Sequence, residues 1–188
     1  MKRIAKFEKV SFEQYKKDLL ATLGVEFLKS EGFICAEDCE SQEKIDSAVR
    51  KIYDRIKLPK RATMGSAGYD FFTPFDIKIN HGKTIKMPTG IRVKIDDGWV
   101  LQLFPRSGLG FKFRMQLDNT VGIIDSDYYG SDNQGHMMAK LTNDTNEQKD
   151  AFVKAGDGYM QGIFTFYGIT VDDDADGVRN GGFGSTTK

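Results

Sequence analysis

The chain has 188 residues, enough for one full hydrophobic core and a small additional element but not for a second large domain. It carries 27 Lys and Arg against 27 Asp and Glu, so its formal net charge is zero. This balance, without any basic block, argues against binding of a nucleic-acid polymer. No apolar run is long enough to cross a bilayer and the N-terminus lacks a signal-peptide pattern, so we expect a cytoplasmic protein without membrane contact.

Residues 1–57 carry helical signals and little glycine. Ser11 begins a capping-box pattern, apolar residues follow at helical spacing, and Gly24 is the expected end of this first helix. A second helix is predicted from Ser41, and it should end before Pro59. We therefore expect a helical N-terminal extension.

Residues 58–171 show a different pattern, in which short alternating or apolar runs are separated by turn residues. Examples are "TIKMPTGIRVKI", "GWVLQLF", "HMMAKL" and "QGIFTFYGITV". Many short strands without intervening helices predict an all-β sandwich or barrel. Residues 142–155 are polar, and we expect them to form a loop or a short helix.

The side chains that commonly bind zinc are few. Cys35 and Cys39 are the only cysteines of the sequence, and its two histidines, His81 and His136, lie far from them in the chain. A zinc site needs three or four such ligands brought together. We therefore expect reduced thiols and no zinc site.

Five glycine-containing segments carry polar groups that a structural turn does not require. They are "GSAGYD" at 65–70, "PRSGLG" at 105–110, "DNTVGIIDSDYYG" at 118–130, "GDGYMQ" at 156–161 and "RNGGFGSTT" at 179–187. In the last segment, glycine N–H groups and the hydroxyls of Ser185 and Thr186 suit phosphate oxygens. Arg179 adds a positive charge, and Phe183 offers a face on which a base can stack. This combination favours a nucleotide ligand.

An acidic run at 172–176 precedes the last segment. It reproduces the first half of a calcium-binding EF-hand loop, but the twelfth position is Phe183 instead of glutamate, and no helix pair flanks it. We interpret the run as a solvated linker, and residues 172–188 as a flexible C-terminal arm.

The order and content of the five segments resemble the five motifs of the homotrimeric deoxyuridine triphosphatases (dUTPases), over about residues 60–188. The most specific matches are "PRSGLG", "IDSDY" and "GGFGST". The resemblance implies a mainly β fold, a jelly roll or distorted β-barrel, in a homotrimer whose sites are shared between subunits. It also implies hydrolysis of dUTP to dUMP and pyrophosphate with Mg²⁺. Residues 1–57 are absent from the family core; they would cap the trimer, bind a partner protein or pack on the body, and we favour packing.

The resemblance assigns the nucleoside side of the site to the third motif. Asp125 would activate the water that attacks the α-phosphorus. Tyr128 would lie under the sugar and leave no room for a 2′-hydroxyl group. Asn119 would bond the base edge, and a hairpin with the backbone of Gly122 and Ile124 would read the acceptor–donor–acceptor pattern of uracil.

The remaining motifs are expected to hold the phosphates and the metal. Gln161 would bond water or phosphate near the reacting centre, and Asp70 would face Mg²⁺ through water. Phe183 would stack on uracil as the arm closes over bound substrate. The residues expected to contact phosphates are Arg106, Ser107, Gly108, Arg179, Gly184, Ser185 and Thr186, with Gly108 and Gly110 allowing a tight bend.

The sequence departs from the family pattern at several places. Arg179 lies four residues before Phe183 instead of five, which weakens its assignment to phosphate. In the fourth motif, Gly158 stands where a basic residue is usual, and Met160 where a small one is usual. The insertion at 131–135 lies close to Tyr128 and could alter sugar or base selection.

Two alternatives remain open at this point. Deoxycytidine triphosphate deaminase shares the fold and several motifs, but it needs a glutamate where this chain has Lys140, and a lysine cannot do that work at neutral pH without a large pKa shift. The other alternative is a regulatory protein that uses a nucleotide-dependent arm to engage a partner through residues 1–57.

Overall fold

The computed structural model describes residues 2–35, 37 and 41–181. Within this part the chain forms twelve strands and three α-helices. In chain order they are β1 (Ala5–Lys9), α1 (Phe12–Ser30), α2 (Gln42–Asp54), β2 (Lys60–Arg61), β3 (Tyr69–Phe72), β4 (Ile77–Ile79), β5 (Thr84–Pro88), β6 (Ile91–Ile95), β7 (Trp99–Pro105), α3 (Ser107–Phe113), β8 (Met115–Leu117), β9 (Gly122–Ile124), β10 (Met138–Asn143), β11 (Ala151–Val153) and β12 (Gly158–Phe166).

The strands form small antiparallel sheets that surround one core. The largest sheet has the order β2-β3-β12-β7-β9, a second has the order β5-β10-β8, and β1-β6 and β4-β11 form pairs. Large side chains from several strands and from α1 are fully buried between them, including Tyr15, Phe71, Leu101 and Tyr159. The mainly β jelly-roll barrel with a helical N-terminal extension is therefore confirmed.

The N-terminal extension begins and folds largely as the sequence predicts. The Ser11 hydroxyl accepts a hydrogen bond from the backbone N–H of Gln14 at 3.2 Å, which caps α1. Gly24 ends the first helical segment of α1 as expected, since its φ of 73° and ψ of 176° are non-helical, and a second helical segment follows directly and continues to Ser30. Residues 5–9, which we expected to be part of a helical extension, form a strand that pairs with β6.

The extension packs on the body. Helix α1 contacts both α2 and β5, and it buries Leu19 and Leu28. Helix α2 turns Val49 and Ile52 inward on its apolar face. Across residues 2–35, 37 and 41–181, no helix has the length and apolar character needed to cross a membrane.

Residues 142–155 differ from the expected loop or short helix. Strand β10 extends into this segment, and Ala151–Val153 form β11, which pairs with β4 in the register Ala151↔Ile79. Ala151 and Val153 are buried while Phe152 between them is exposed, so the strand alternates in the usual way. The strand is too short for its pattern to stand out among the polar residues before it.

Candidate active site

Asp125 follows β9 directly and points into an open cavity. Its side chain is 43% exposed. The cavity has a volume of about 480 Å³, and it combines apolar and polar walls. Its lining residues are Val100, Ile123, Asp125, Ser126, Asp127, Tyr167 and Arg179. A carboxylate at the edge of such a cavity can accept a proton from a water molecule beside a bound ligand.

Arg179 from the C-terminal arm lies over this carboxylate. Its Nη2 donates a hydrogen bond to Asp125 Oδ2 at 2.5 Å. Its Nε lies 2.8 Å from Asp127 Oδ1, an ion pair without hydrogen-bond geometry. The backbone N–H of Asp132 also donates to the Asn180 carbonyl oxygen at 3.2 Å. Residues 179–180 of the arm thus fold back onto the third motif of their own chain and onto the insertion that follows it.

Tyr128 forms a fixed surface behind Asp125, in the 3₁₀ turn Ser126–Gly130. Its hydroxyl donates to the His136 carbonyl oxygen at 2.9 Å and accepts from Asn133 Nδ2 at 2.8 Å. Burial raises the pKa of Tyr128 above its ordinary value, so the phenol is neutral at physiological pH. The guanidinium carbon of Arg179 lies 5.9 Å from the ring centroid, so the ring is close to the cavity.

The segment expected to bind the base lies on the same side. Strand β9 is the edge of the five-stranded sheet, so half of its backbone polar groups face away from β7. The strands on either side of residues 118–121 belong to different sheets, because β8 pairs with β10 whereas β9 pairs with β7. Asn119 is exposed in the turn between β8 and β9, where Thr120 has φ 66°.

A second polar cluster joins the first, second and fourth motifs. Arg106 Nε lies 3.3 Å from Asp70 Oδ1, and Arg106 Nη1 donates to the Gly158 carbonyl oxygen at 3.3 Å. Gln161 sits opposite Asp70 on β3, and its Nε2 donates to the Pro105 carbonyl oxygen at 3.4 Å. These residues can present one cation and one amide to the same anionic group.

Gly158 lies against the arginine of the second motif. A Cβ atom at this position would lie 2.8 Å from Arg106 Nη1, so any other residue would require the guanidinium to move. Met160, the other departure in this motif, is fully buried in the core. Ser107 and Gly108 are exposed at the start of α3. The tight bend expected at Gly108 and Gly110 was wrong, since both lie within this helix and neither has a positive φ.

The two clusters lie at opposite ends of β7. Ile124 pairs with Leu101, so Asp125 lies near the start of β7, whereas Arg106 follows its last residue. The strand between these points spans about 20 Å. The structure therefore brings Asp125, Tyr128 and Arg179 together, and separately Asp70, Arg106 and Gln161, but one chain does not unite the two groups.

Some residues at this site were not predicted from the sequence, and some predicted residues lie outside the part of the chain that the structure describes. Asp127, Asn133 and His136 received no role from the sequence; the signal available for Asp127 was its place between Asp125 and Tyr128. Phe183, Gly184, Ser185 and Thr186 lie outside the described residues. Among the residues described, no group of three or more His, Cys, Asp or Glu is arranged to hold a metal ion.

Comparison with known proteins identifies the family. A sequence model named dUTPase matches residues 54–187. The deoxyuridine 5′-triphosphate nucleotidohydrolase of Lactococcus lactis is 37% identical over 134 residues, covering 70% of this chain and 88% of that protein. The protein of the same name from Haemophilus ducreyi is 37% identical over 146 residues, covering 73% and 91%.

Solved structures agree with the sequence comparison. The crystal structure of dUTPase from Streptococcus mutans has a TM-score of 0.55 and 36% identity, and the match covers 64% of this chain and 91% of that one. A mutant dUTPase from phage phi11 of S. aureus, described with a structural Mg(II) ion, has a TM-score of 0.53. At 18% identity, over 68% of this chain and 95% of that one, it supports the fold alone. The chain therefore belongs to the dUTPase family.

Proposed function

We propose that this protein hydrolyses dUTP to dUMP and pyrophosphate. The relatives are named for this reaction, and the match covers 88% of one and 91% of the other. The observation that carries the proposal is the half-exposed Asp125 carboxylate in a cavity, with a cation on one side and a fixed tyrosine behind it. Hydrolysis at phosphorus requires this combination of a base and a positive charge.

Asp125 would act as the general base. It would take a proton from a water molecule as that water attacks the α-phosphorus, and pyrophosphate would leave. In the structure the carboxylate is paired with Arg179, so this pair must loosen before water can be activated. The triphosphate would compete for the guanidinium and free the carboxylate, because phosphate oxygens accept the same charge-assisted hydrogen bonds.

Tyr128 and the edge of β9 would select the nucleoside. A buried ring held by two hydrogen bonds cannot move aside for a 2′-hydroxyl group, so ribose would be excluded by contact. The outward backbone groups of Gly122 to Ile124, with Asn119, would bond the edge of uracil. Cytosine would be rejected because its exocyclic amine would face a donor.

The phosphate side would come from another subunit. Arg106, with Ser107, Gly108 and Gln161, lies too far along β7 from Asp125 to contact the same α-phosphorus within one chain. A homotrimer with sites at the subunit boundaries would bring the two ends of different chains together. The C-terminal residues Phe183, Gly184, Ser185 and Thr186 would close over the bound nucleotide.

Asp70 is a suitable carboxylate for Mg²⁺ held mainly by phosphates. Its side chain is 19% exposed beside Arg106. Magnesium keeps several waters and needs few protein ligands, so one carboxylate contacting a metal-bound water is sufficient. When bound, the ion would neutralise charge on the phosphate oxygens.

The deaminase alternative finds no support in the site. Lys140 is exposed on β10, and its ammonium group lies 2.8 Å from Asp118 Oδ2. An ion-paired lysine cannot shuttle protons as the deaminase glutamate would. No contact described favours a regulatory function over hydrolysis.

The direct test is to incubate the protein with Mg²⁺ and each deoxynucleoside triphosphate, and with UTP, while measuring pyrophosphate. We expect release from dUTP alone at high efficiency. Deaminated product from dCTP, or no release from any nucleotide, would contradict the proposal.

A further inference from the structure

The N-terminal extension contacts the segment that carries Tyr128 at three points. One contact comes from α1, one from the residue that caps α1, and one from β1. All three reach residues 129–136, which include the insertion at 131–135. The two regions are separated by more than a hundred residues, and no pattern in the sequence connects them.

The first contact pairs a buried histidine with a partly buried carboxylate. His136 is fully buried, and its Nδ1 lies 2.5 Å from Asp18 Oδ2 on α1. The backbone N–H of Gly90 donates to His136 Nε2 at 2.8 Å, so that nitrogen carries no proton and Nδ1 donates to Asp18. Burial opposes ionisation of Asp18, but hydrogen bonds from His136 and Gln14 outweigh it and hold the pKa of Asp18 below its usual range. The carboxylate therefore fixes both the tautomer and the orientation of the ring.

The second contact completes the cap of α1. The backbone N–H of Ser11 donates to Gln134 Oε1 at 2.9 Å, and Gln134 Nε2 donates to the Ser11 hydroxyl at 2.9 Å. In an ordinary capping box the glutamine three residues into the helix would accept from that N–H. Here a residue of the insertion takes this role, so the insertion and the start of α1 order each other.

The third contact lies on the other side of the 3₁₀ turn. The Tyr129 hydroxyl donates to Glu8 Oε2 at 2.7 Å, and Arg92 bonds both groups. Tyr129 adjoins Tyr128, so β1 secures the backbone at the position next to the predicted sugar contact.

The insertion transmits these contacts to Tyr128. The carbonyl oxygen of His136 accepts from both Tyr128 and Asn133. Gly135 has φ 70°, and a Cβ atom there would lie 2.8 Å from the Tyr128 carbonyl oxygen, so the insertion lies directly against the tyrosine backbone. A displacement of His136 must therefore displace the acceptor that holds the Tyr128 ring.

We propose that Asp18 is a positioning residue that acts through His136 to hold Tyr128, so that the N-terminal extension sets how strictly the site excludes ribose. This inference rests on the proposed hydrolysis of dUTP. Exclusion by contact works only if the ring cannot move. Asp18, which is partly buried, holds His136, whose backbone oxygen accepts the hydrogen bond of the ring's hydroxyl. The N-terminal extension then contributes to the discrimination between dUTP and UTP, in addition to packing on the body.

The test compares three full-length variants. Asp18→Ala removes the acceptor for His136 Nδ1–H, Asp18→Asn keeps an acceptor oxygen, and Glu26→Ala removes an exposed carboxylate of the same helix that pairs only with Lys29 among the described contacts. The readout is the ratio of kcat/KM for dUTP to kcat/KM for UTP. A loss of folded protein lowers both values equally and leaves the ratio unchanged. We expect Asp18→Ala to lower the ratio about tenfold or more, with Asp18→Asn and Glu26→Ala within about threefold of the parent.

A second measurement does not depend on the reaction. Amide hydrogen exchange of residues 128–136 without nucleotide should be faster in Asp18→Ala than in Glu26→Ala. An unchanged ratio in Asp18→Ala would overturn the inference, whether or not exchange is faster. If the parent protein hydrolyses neither nucleotide, the proposed function fails and the claim about ribose fails with it, while exchange still decides whether Asp18 holds the Tyr128 segment. Should Asp18→Ala not fold, Tyr129→Phe, which frees the same segment from Glu8, is expected to lower the ratio in the same direction.

Discussion

Arg179 holds Asp125 through a 2.5 Å hydrogen bond from Nη2 to Oδ2. The same guanidinium lies between two carboxylates of one turn, and its side chain is only 20% exposed. The expected place of Arg179 was on the triphosphate. In the structure it instead neutralises the group that we assign as the base, so its phosphate role stays a prediction that requires the arginine to change partners.

The two carboxylates beside Arg179 form a matched pair for mutation. Asp125→Asn should lower kcat for dUTP about 10³-fold, because an amide cannot accept the proton of the attacking water. Asp127→Asn removes the other carboxylate from the same guanidinium and should change kcat less than about threefold, since Asp127 only pairs with Arg179. Steady-state kinetics gives kcat for both variants. An equal fall of kcat in both would contradict the role of Asp125 as the base.

Mixing two inactive variants tests whether sites are shared. Asp125→Asn removes the proposed base near the start of β7, and Arg106→Ala removes the proposed phosphate contact after its end. In the proposed trimer, each site takes Asp125 from one chain and Arg106 from another. In an equal mixture each of these residues is intact in about half of the sites, so about a quarter of the sites have both, and about a quarter of the parent activity should return. Pyrophosphate release after co-expression or co-refolding measures this. Activity that stays at the level of the separate variants would mean that one chain supplies the whole site.

Two buried tyrosines should respond differently to loss of the hydroxyl group. Within the described part of the chain the Tyr15 hydroxyl has no hydrogen-bond partner, whereas that of Tyr128 has two. Tyr15→Phe should raise the free energy of unfolding by about 1 kcal/mol, and Tyr128→Phe should lower it by about 2 kcal/mol. Urea unfolding of both variants provides the comparison. A similar loss in both would show that Tyr15 has a partner after all.

The contacts of β1 predict sensitivity to acid. Hydrogen bonds from Lys6 and Tyr129 lower the pKa of Glu8 to about 2, and the pKa of Asp18 is also below its usual range. Both carboxylates bind protons more readily in the unfolded chain, so their stabilising effect is complete above about pH 4.3 and is lost as the pH falls toward 2. Urea unfolding between pH 5 and 2 should show a shallower loss of stability in Glu8→Gln than in the parent. Glu26→Gln controls for removing an acidic side chain, and a parent-like slope in Glu8→Gln would refute the assignment.

Local signals in the sequence predicted the β core and the helices α1 and α2, but not α3, which lies among strands that we expected to have no helix between them. Ser11 and Ser41 mark helix starts through their own hydroxyls, so their neighbours are enough to recognise them. Gly24 ends the first helical segment as its sequence position predicts, and the second segment that continues from it to Ser30 was not predicted. The division into 1–57, 58–171 and 172–188 remains our proposal.

What the sequence could not predict depends on distant contacts. The role of Gln134 in capping α1, and of Asp18 beside His136, follows from the meeting of segments far apart in the chain. Asp125 and Arg106 are also close in sequence order yet lie at opposite ends of β7, which only the strand register reveals.

The position of the attacked phosphorus tests the account most directly. Hydrolysis of dUTP should be run to a single turnover in water enriched in ¹⁸O, and both products analysed by mass spectrometry. Attack at the α-phosphorus by a water that Asp125 activates predicts that the label enters dUMP and is absent from pyrophosphate. Label in pyrophosphate, or label in dUMP at the parent rate in Asp125→Asn, would contradict it.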